Sequence, residues 1–113
     1  MRFSPSNWSR FETHNKKTTI RTREQKPGIK VAGHGSIQWG SWVAYPEKVR
    51  IHPYSKKCRV IELTKEDAVN DGFDSLCELI LELGCLNKDI TVDTLVYIHP
   101  VEKLLKHGGG CGG

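Results

Sequence analysis

Apolar and polar positions alternate through much of the first half of the chain, a pattern typical of β-strands. In "TTIRTR", residues 18–23, the alternation places Thr18, Ile20 and Thr22 on one face and the intervening residues on the other. Four later segments also read as strands, with Gly or Pro between them: "KPGIKV", "SIQWGSWVAY", "KVRIH" and "KKCRVIEL". This spacing predicts a small antiparallel barrel rather than a βαβ fold.

Helical patterns occur at the N-terminus and in the second half. "SPSNWSRFETH" predicts a short helix with Ser4 as its cap and Pro5 in its first turn. "TKEDAVNDG" predicts one or two helical turns opened by Thr64, with Asp67 as capping-box partner. In "DSLCELILELG" apolar residues recur at i, i+3, i+4 and i+7, which predicts an amphipathic helix that ends at Gly84. "TLVYIHPV" predicts a buried last strand.

These elements together predict an α+β domain. It would contain a β-barrel of about five to six strands, a short N-terminal helix, and two helices before the last strand. The length of 113 residues suits one domain, which we place at residues 1–105. Residues 106–113 include "HGGGCGG" and predict a flexible Gly-rich tail, because so many glycines do not hold a packed conformation.

Charge is distributed unevenly along the chain. Residues 1–60 hold 13 Lys and Arg against 3 Asp and Glu, whereas residues 61–113 hold 4 against 10. A basic half on a small domain favours an anionic partner, nucleic acid first. The alternative is a dipolar surface with no partner.

Other classes of protein find no support in the sequence. No apolar run approaches the ~20 residues that cross a bilayer, and the N-terminus has no apolar stretch of signal-peptide length. We therefore expect a cytoplasmic protein that does not contact membranes. The four cysteines show no paired ligand spacing with each other or with the five histidines, so we expect no metal and no other cofactor.

The stretch "NKKTTIRTRE", Asn15 to Glu24, combines two lysines and two arginines with three threonines. A solvated loop accounts for the charge but not for the alternating β-branched residues. We interpret the stretch as the first wall of a cleft that faces RNA or a nucleoside. Trp39 and Trp42 lie three residues apart in a predicted strand, so one should lie in the core and the other outside.

Three pieces of the chain, taken in order, resemble the ASCH domain, a family of the PUA-like β-barrel group. They are "KKTTIRTR" after a short helix, "KPGIKV" at the next turn, and "LTKEDAVNDGFDSLCELILEL" leading to "DTLVYIH". The resemblance covers about residues 3 to 102. It implies a PUA-like barrel with a cleft beside it and an association with RNA.

Small single-domain members of this family include an amidohydrolase that removes the acetyl group from N4-acetylcytidine. The resemblance places its lysine at Lys16, its threonine at Thr19 and the arginine that follows at Arg21. Its glutamate falls on Asp71, which is one methylene shorter. Amide hydrolysis needs a nucleophile and a base, roles that the resemblance gives to Thr19 and Lys16, with Asp71 in support. Alternatively, Asp71 caps the second helix beside Gly72.

Three functions remain open from the sequence. The first is a binding module for RNA or a nucleotide, and the second is the amidohydrolase acting on a modified nucleoside. The third is a ribonuclease that uses the same cleft. In the binding module, a phosphate-facing rim would be formed by Lys16, Lys17, Arg21 and Arg23. We expect the protein to act as a monomer.

For Lys16 to meet Thr19, it must lie in the turn before the strand, because residues three apart in a strand face opposite sides.

Overall fold

The computed structural model describes residues 1–104, apart from the side chain of Leu86. It confirms the α+β class, the short N-terminal helix and the two helices before the last strand. The helices are α1 (Pro5–Thr13), α2 (Lys65–Asn70) and α3 (Leu76–Leu86), and the strands are β1 (Thr18–Arg21), β2 (Gly28–His34), β3 (Val43–Ile51), β4 (Lys56–Arg59) and β5 (Leu95–Lys103). The predicted tail, residues 106–113, lies outside the described residues.

The helices begin at the predicted caps. The hydroxyl of Ser4 accepts a hydrogen bond from the backbone of α1, with Pro5 at the first helical position. Thr64 and Asp67 form the predicted capping box at the start of α2. The predicted end of α3 was two residues early, since the helix continues beyond Gly84 to Leu86.

β5 is the central strand of the sheet. Ile98 pairs with Ile20 of β1 on one edge and with Lys56 of β4 on the other. β3 pairs with the later part of β5, and β2 pairs with β3, all in antiparallel directions. The five strands form one open sheet, in which β1 and β2 are the ends of the strand order β1-β5-β3-β2.

The first three residues connect the two ends of this sheet. Their backbone runs beside β2: the N–H of Phe3 donates to the carbonyl of Gly33 at 2.9 Å, and the N–H of Gly33 donates to the carbonyl of Met1 at 3.0 Å. From β1, the guanidinium of Arg21 donates to the carbonyl of Arg2 at 2.8 Å. The N-terminal segment and Arg21 therefore link β2 to β1, which do not pair as strands within residues 1–104.

Two strand predictions were wrong in part. Residues 36–42 of "SIQWGSWVAY" and the preceding Gly35 form a loop, and the rest joins "KVRI" in the single strand β3. Gly35 and Gly40 adopt φ values of 93° and 72°, which fold the chain back instead of extending it. The strand predicted over "KKCRVIEL" ends at Arg59 and continues as one 3₁₀ turn, Val60–Glu62.

The core consists of two apolar clusters. One lies between the sheet and α2 and α3, and contains Ile20, Cys58, Val60, Leu63, Ala68, Phe73, Leu79, Leu83, Val96 and Ile98. The other lies under α1, and contains Phe3, Trp8, Ala32, Val49, Ile51 and Val101. Trp8 stacks on Tyr45 with ring centroids 4.4 Å apart, which fixes α1 against β3. Because α1 and α3 cover different clusters, a space remains between them beside β1.

Candidate functional site

A pocket of about 500 Å³ occupies this space beside β1. Its walls come from the start of α1, from β1 and the residues after it, from the end of β2, from the α2–α3 connection and from α3. Five of the six residues singled out in the sequence line it: Lys16, Thr19, Arg21, Arg23 and Asp71. The volume falls within the range of small-molecule sites in proteins.

Lys16 lies in the turn before β1, where the sequence predicted it would have to be to meet Thr19. Asn15 has a positive φ of 51° and turns the chain out of α1. The N–H of Lys16 then donates to the carbonyl of Arg10 at 3.1 Å, and the N–H of Lys17 donates to the carbonyl of Asn70 at 2.7 Å. These bonds fasten the turn to α1 and to the end of α2, so Lys16 points into the pocket from a fixed backbone.

Lys16 and Asp71 form a buried ion pair. The Nζ of Lys16 lies 2.7 Å from Oδ1 of Asp71 and 3.0 Å from its backbone carbonyl. The two side chains are only 1% and 7% exposed. Burial lowers the pKa of Lys16 and raises the pKa of Asp71, and in each case it outweighs the attraction of the partner. Both shifts bring the two pKa values closer together.

Asp71 also ends α2, but through its backbone. Its N–H donates to the carbonyl of Asp67 and to that of Ala68, each at 3.1 Å. The following residue, Gly72, has a φ of 91°, and a Cβ there would lie 2.9 Å from the Cβ of Arg10. The carbonyl of Gly72 accepts a hydrogen bond of 2.7 Å from Arg10. The helix cap therefore leaves the carboxylate of Asp71 free to face Lys16.

Thr19 is buried beside Arg21. The Nε of Arg21 donates to Oγ1 of Thr19 at 3.0 Å, which leaves the threonine hydroxyl free to donate its own proton. Burial lowers the pKa of Arg21 to about 10, and the guanidinium remains charged at neutral pH. It also lies over the ring of Phe3, 4.8 Å from the centroid. Within residues 1–104 no direct hydrogen bond joins Thr19 to Lys16.

The two neighbouring threonines have different partners. Thr18 points towards Asp71, with Oγ1 3.5 Å from Oδ1 of that carboxylate, whereas Thr19 contacts Arg21. Because successive side chains of a strand face opposite sides, Thr18 lies with the ion pair and Thr19 with the guanidinium.

The remaining predicted rim residues lie in different places. Arg23 is exposed and lines the mouth of the pocket. Lys17 is exposed but lies in a separate, shallower cleft with Glu12, Glu102 and Lys103. The structure therefore brings Arg23 to the site and places Lys17 outside it.

The wall opposite β1 was not predicted from the sequence. Asn7 of α1 donates through Nδ2 to Glu82 of α3 at 3.4 Å, and both residues line the pocket. The Oδ1 of Asn7 is buried and has no hydrogen-bond partner among the described residues. Asn7 and Glu82 are 75 positions apart, and neither belongs to a local motif that could have indicated the contact.

A buried histidine holds the segment that follows β1. His99 is fully buried, and its Nε2 accepts a 3.0 Å hydrogen bond from the N–H of Gln25. Its Nδ1 lies 2.9 Å from the carbonyl of His52, which assigns the proton to Nδ1. Gln25 and Arg23 both line the pocket. His99 therefore fixes the chain that carries the basic rim.

Further comparisons add no ligand or relative. In the described part of the chain, no group of three or more His, Cys, Asp or Glu side chains is placed to hold a metal ion. None of the helices within residues 1–104 is long and apolar enough to cross a membrane. Comparison of the chain with protein-family models, with curated proteins and with solved structures finds no match.

Proposed function

We propose that this protein binds RNA or a nucleotide in the pocket beside β1. One observation carries the proposal: the pocket gathers Lys16, Thr19, Arg21, Arg23 and Asp71 in a volume suited to a single nucleoside. Four of these residues come from one segment of ten residues, and the fifth comes from the α2–α3 connection. The uneven charge of the chain also favours an anionic ligand, because the basic residues that line the pocket come from the basic half, residues 1–60.

The groups at the mouth and in the interior suit different parts of a nucleotide. Arg2 and Arg23 are exposed and line the pocket, where a guanidinium can bind a phosphate with two hydrogen bonds. Deeper in, Thr19 offers a hydroxyl from β1, and Asn7 and Glu82 offer hydrogen-bonding groups on the opposite α1–α3 wall, where these two side chains bring no positive charge. A sugar-phosphate would therefore lie at the mouth and the base inside, against the α1–α3 wall.

Binding is tested by fluorescence anisotropy with a labelled short single-stranded RNA over a range of salt concentrations. We expect affinity to fall as salt rises, and Arg23→Gln to weaken binding and reduce the salt slope by about 1. Lys57→Gln is the matched control, because Lys57 is exposed on β4 and does not line the pocket. The absence of binding at low salt, or an equal loss in both variants, would contradict the proposal.

A second candidate function is hydrolysis of an amide such as that of N4-acetylcytidine. The buried pair of Lys16 and Asp71 favours it, because burial lowers the pKa of Lys16 and so brings a neutral amine within reach. The guanidinium of Arg21 stabilises negative charge that develops on Oγ1 of Thr19.

Hydrolysis would proceed through an acetyl ester on Thr19. Thr19 Oγ1 bonds to the acetyl carbon while its proton passes through a water to neutral Lys16, because no direct hydrogen bond joins the two residues. The C–N bond then breaks, and the leaving N4 takes the proton from Lys16 to give cytidine. Water hydrolyses the acetyl ester on Thr19, which releases acetate and restores the hydroxyl.

The two adjacent threonines provide a matched test of this activity. Incubation with N4-acetylcytidine should yield cytidine, detected by chromatography, from the wild type and from Thr18→Val. Thr19→Val should reduce the rate by at least about 100-fold, because the nucleophile is lost. Cytidine from Thr19→Val at the wild-type rate would contradict the assignment, and no cytidine from any variant would leave binding as the function of the pocket.

A further inference from the structure

The loop of residues 35–42 presents large apolar side chains to solvent. Trp39 is 81% exposed and Ile37 is 78% exposed, and both lie near its tip. Full exposure of a tryptophan is uncommon, because its large apolar surface stabilises a protein or a complex only when it is buried. The exposed tip is therefore a candidate contact surface for another molecule.

The loop is held in one conformation by its own hydrogen bonds. The N–H of Ser41 donates to the carbonyl of Ser36 at 2.9 Å, and the N–H of Ser36 donates to Oγ of Ser41 at 2.9 Å. The N–H of Trp39 donates to Oγ of Ser36 at 3.3 Å. At Gly35, a Cβ would lie 2.2 Å from the carbonyl oxygen of Ser41, so the two ends of the loop touch. A closed loop of this kind displays Trp39 without the entropy loss that a flexible loop would have on binding.

The neighbouring tryptophan shows that the loop can bury an indole. The ring of Trp42 packs over the backbone of Gly33, where a Cβ would approach it to 2.6 Å. Trp42 is half-buried, whereas Trp39, three residues earlier, points away from the sheet into solvent. Trp42 thus has a packing role in the fold, and Trp39 has none within residues 1–104.

The loop begins at the rim of the pocket. His34 and Gly35 line the pocket. Ser36 follows Gly35, and its Oγ accepts a hydrogen bond from the backbone N–H of Trp39. The segment that carries the loop suits an anion, since residues 25–46 contain Lys26 and Lys30 and no Asp or Glu. An occupant that extends out of the pocket past Gly35 would reach the loop that carries the exposed ring of Trp39.

We propose that Trp39 is a stacking site for the base next to the one in the pocket, and that the ligand is single-stranded RNA rather than a free nucleoside. This inference rests on the proposed function. Stacking on an aromatic side chain is tolerant of sequence and strengthens binding of one base by about 5- to 150-fold. A lipid bilayer suits an exposed tryptophan as well, but it cannot enter the adjacent pocket, whereas one strand of RNA can fill both sites.

The test compares cytidine 5′-monophosphate with a pentacytidylate RNA, each measured by calorimetry with the wild type, Trp39→Ala and Leu81→Ala. Leu81 is the matched control, since it is 64% exposed on α3 and does not line the pocket. We expect the wild type and Leu81→Ala to bind the pentanucleotide more than 10-fold tighter than the mononucleotide. In Trp39→Ala this ratio should fall by about 10-fold or more.

The outcomes separate this inference from the function on which it rests. If neither ligand binds the wild type, the proposed function itself fails. If the mononucleotide binds and the pentanucleotide binds equally well, or if Trp39→Ala keeps the wild-type ratio, the stacking site is contradicted while the pocket stands. Binding of anionic vesicles that is lost in Trp39→Ala, together with an unchanged RNA ratio, would assign the loop to membranes and also overturn the inference.

Discussion

The ammonium group of Lys16 lies 2.7 Å from a carboxylate oxygen of Asp71, and water reaches almost none of either side chain. Each member of this pair compensates the buried charge of the other. Removal of either Lys16 or Asp71 therefore leaves a buried charge without compensation. The pair joins the turn before β1 to the end of α2, across 55 positions of sequence. It therefore stabilises the fold at the same point where it lines the pocket.

Removal of one member of this pair should destabilise the protein strongly. We expect Lys16→Met to lower the free energy of unfolding by about 3–5 kcal/mol, because the carboxylate of Asp71 is left buried and unpaired. The double variant Lys16→Met/Asp71→Leu should recover much of the loss. Urea denaturation of the two single variants and the double variant measures the coupling. Additive losses in the double variant would show that the two groups do not act as a pair.

Asp67 should make stability depend on pH. Burial raises its pKa, but hydrogen bonds from Lys56 and Thr64 outweigh burial and lower the pKa below the ordinary 3.8. A carboxyl with a lowered pKa in the folded state stabilises the protein above its unfolded pKa, and this stabilisation is lost as pH falls through the folded pKa. Asp67→Asn should therefore lose about 1 kcal/mol at pH 7.

Urea denaturation of Asp67→Asn at pH 7, 5, 4 and 3 checks this dependence. The difference from wild type should shrink as pH falls below about 4, the ordinary pKa of an aspartate in the unfolded chain, and through the lowered pKa of folded Asp67. Asp89→Asn is the control, since Asp89 is exposed and makes no recorded ion pair among the described residues. A difference that stays constant with pH would show that the ion pair with Lys56 contributes nothing.

His99 should control the mobility of the segment after β1. His99→Phe fills the same space but leaves the N–H of Gln25 and the carbonyl of His52 without their partner. Each group left unpaired costs about 1–3 kcal/mol. Hydrogen exchange should therefore speed up at the amide of Gln25, with a loss of RNA affinity because Arg23 lies on the same segment. Unchanged exchange at Gln25 in a folded variant would contradict this role.

The α1–α3 wall should select bases that carry an amino group. The Oδ1 of Asn7 and the carboxylate of Glu82 are hydrogen-bond acceptors, which match the amino group of cytosine and oppose the O4 of uracil. Cytidine 5′-monophosphate should bind about 10-fold tighter than uridine 5′-monophosphate, and Glu82→Gln should reduce that ratio. Glu78→Gln, an exposed site on the same helix, serves as control, and calorimetry gives both affinities. Equal affinity for the two nucleotides would contradict this prediction.

Local features of the structure followed from the sequence. Ser4 with Pro5, and Thr64 with Asp67, begin α1 and α2 as their capping chemistry requires. The helical spacing of α3 also places Leu79 and Leu83 in the core. By contrast, Ile80 of the same predicted stripe is 41% exposed, because the helix packs on a narrower face than the pattern indicated. Helix caps and helical spacing involve residues that are close together in the sequence, so they can be predicted from local backbone geometry.

Long-range features did not follow from the sequence. The alternation in "SIQWGSWVAY" suits a strand, yet two glycines with positive φ and the bonds between Ser36 and Ser41 close it into a loop. The resemblance to a known family predicted that Lys16 and Asp71 belong to one site. No pattern of neighbouring residues predicted that Lys17 would lie outside the pocket, or that Asn7 and Glu82 would form its opposite wall. Such contacts depend on how α1 and α3 are placed by packing, which a pattern of neighbouring residues does not encode.

We propose that a nucleotide occupies the pocket beside β1. This binding is tested most directly by titration of ¹⁵N-labelled protein with cytidine 5′-monophosphate, followed by NMR chemical shifts. We expect the largest changes at backbone amides of Thr19 to Gln25, Asn7 and Phe73, and small changes at Lys57 and Leu81. Shifts that cluster at Lys17 and Glu102 in the second cleft, or no shifts at millimolar nucleotide, would contradict it.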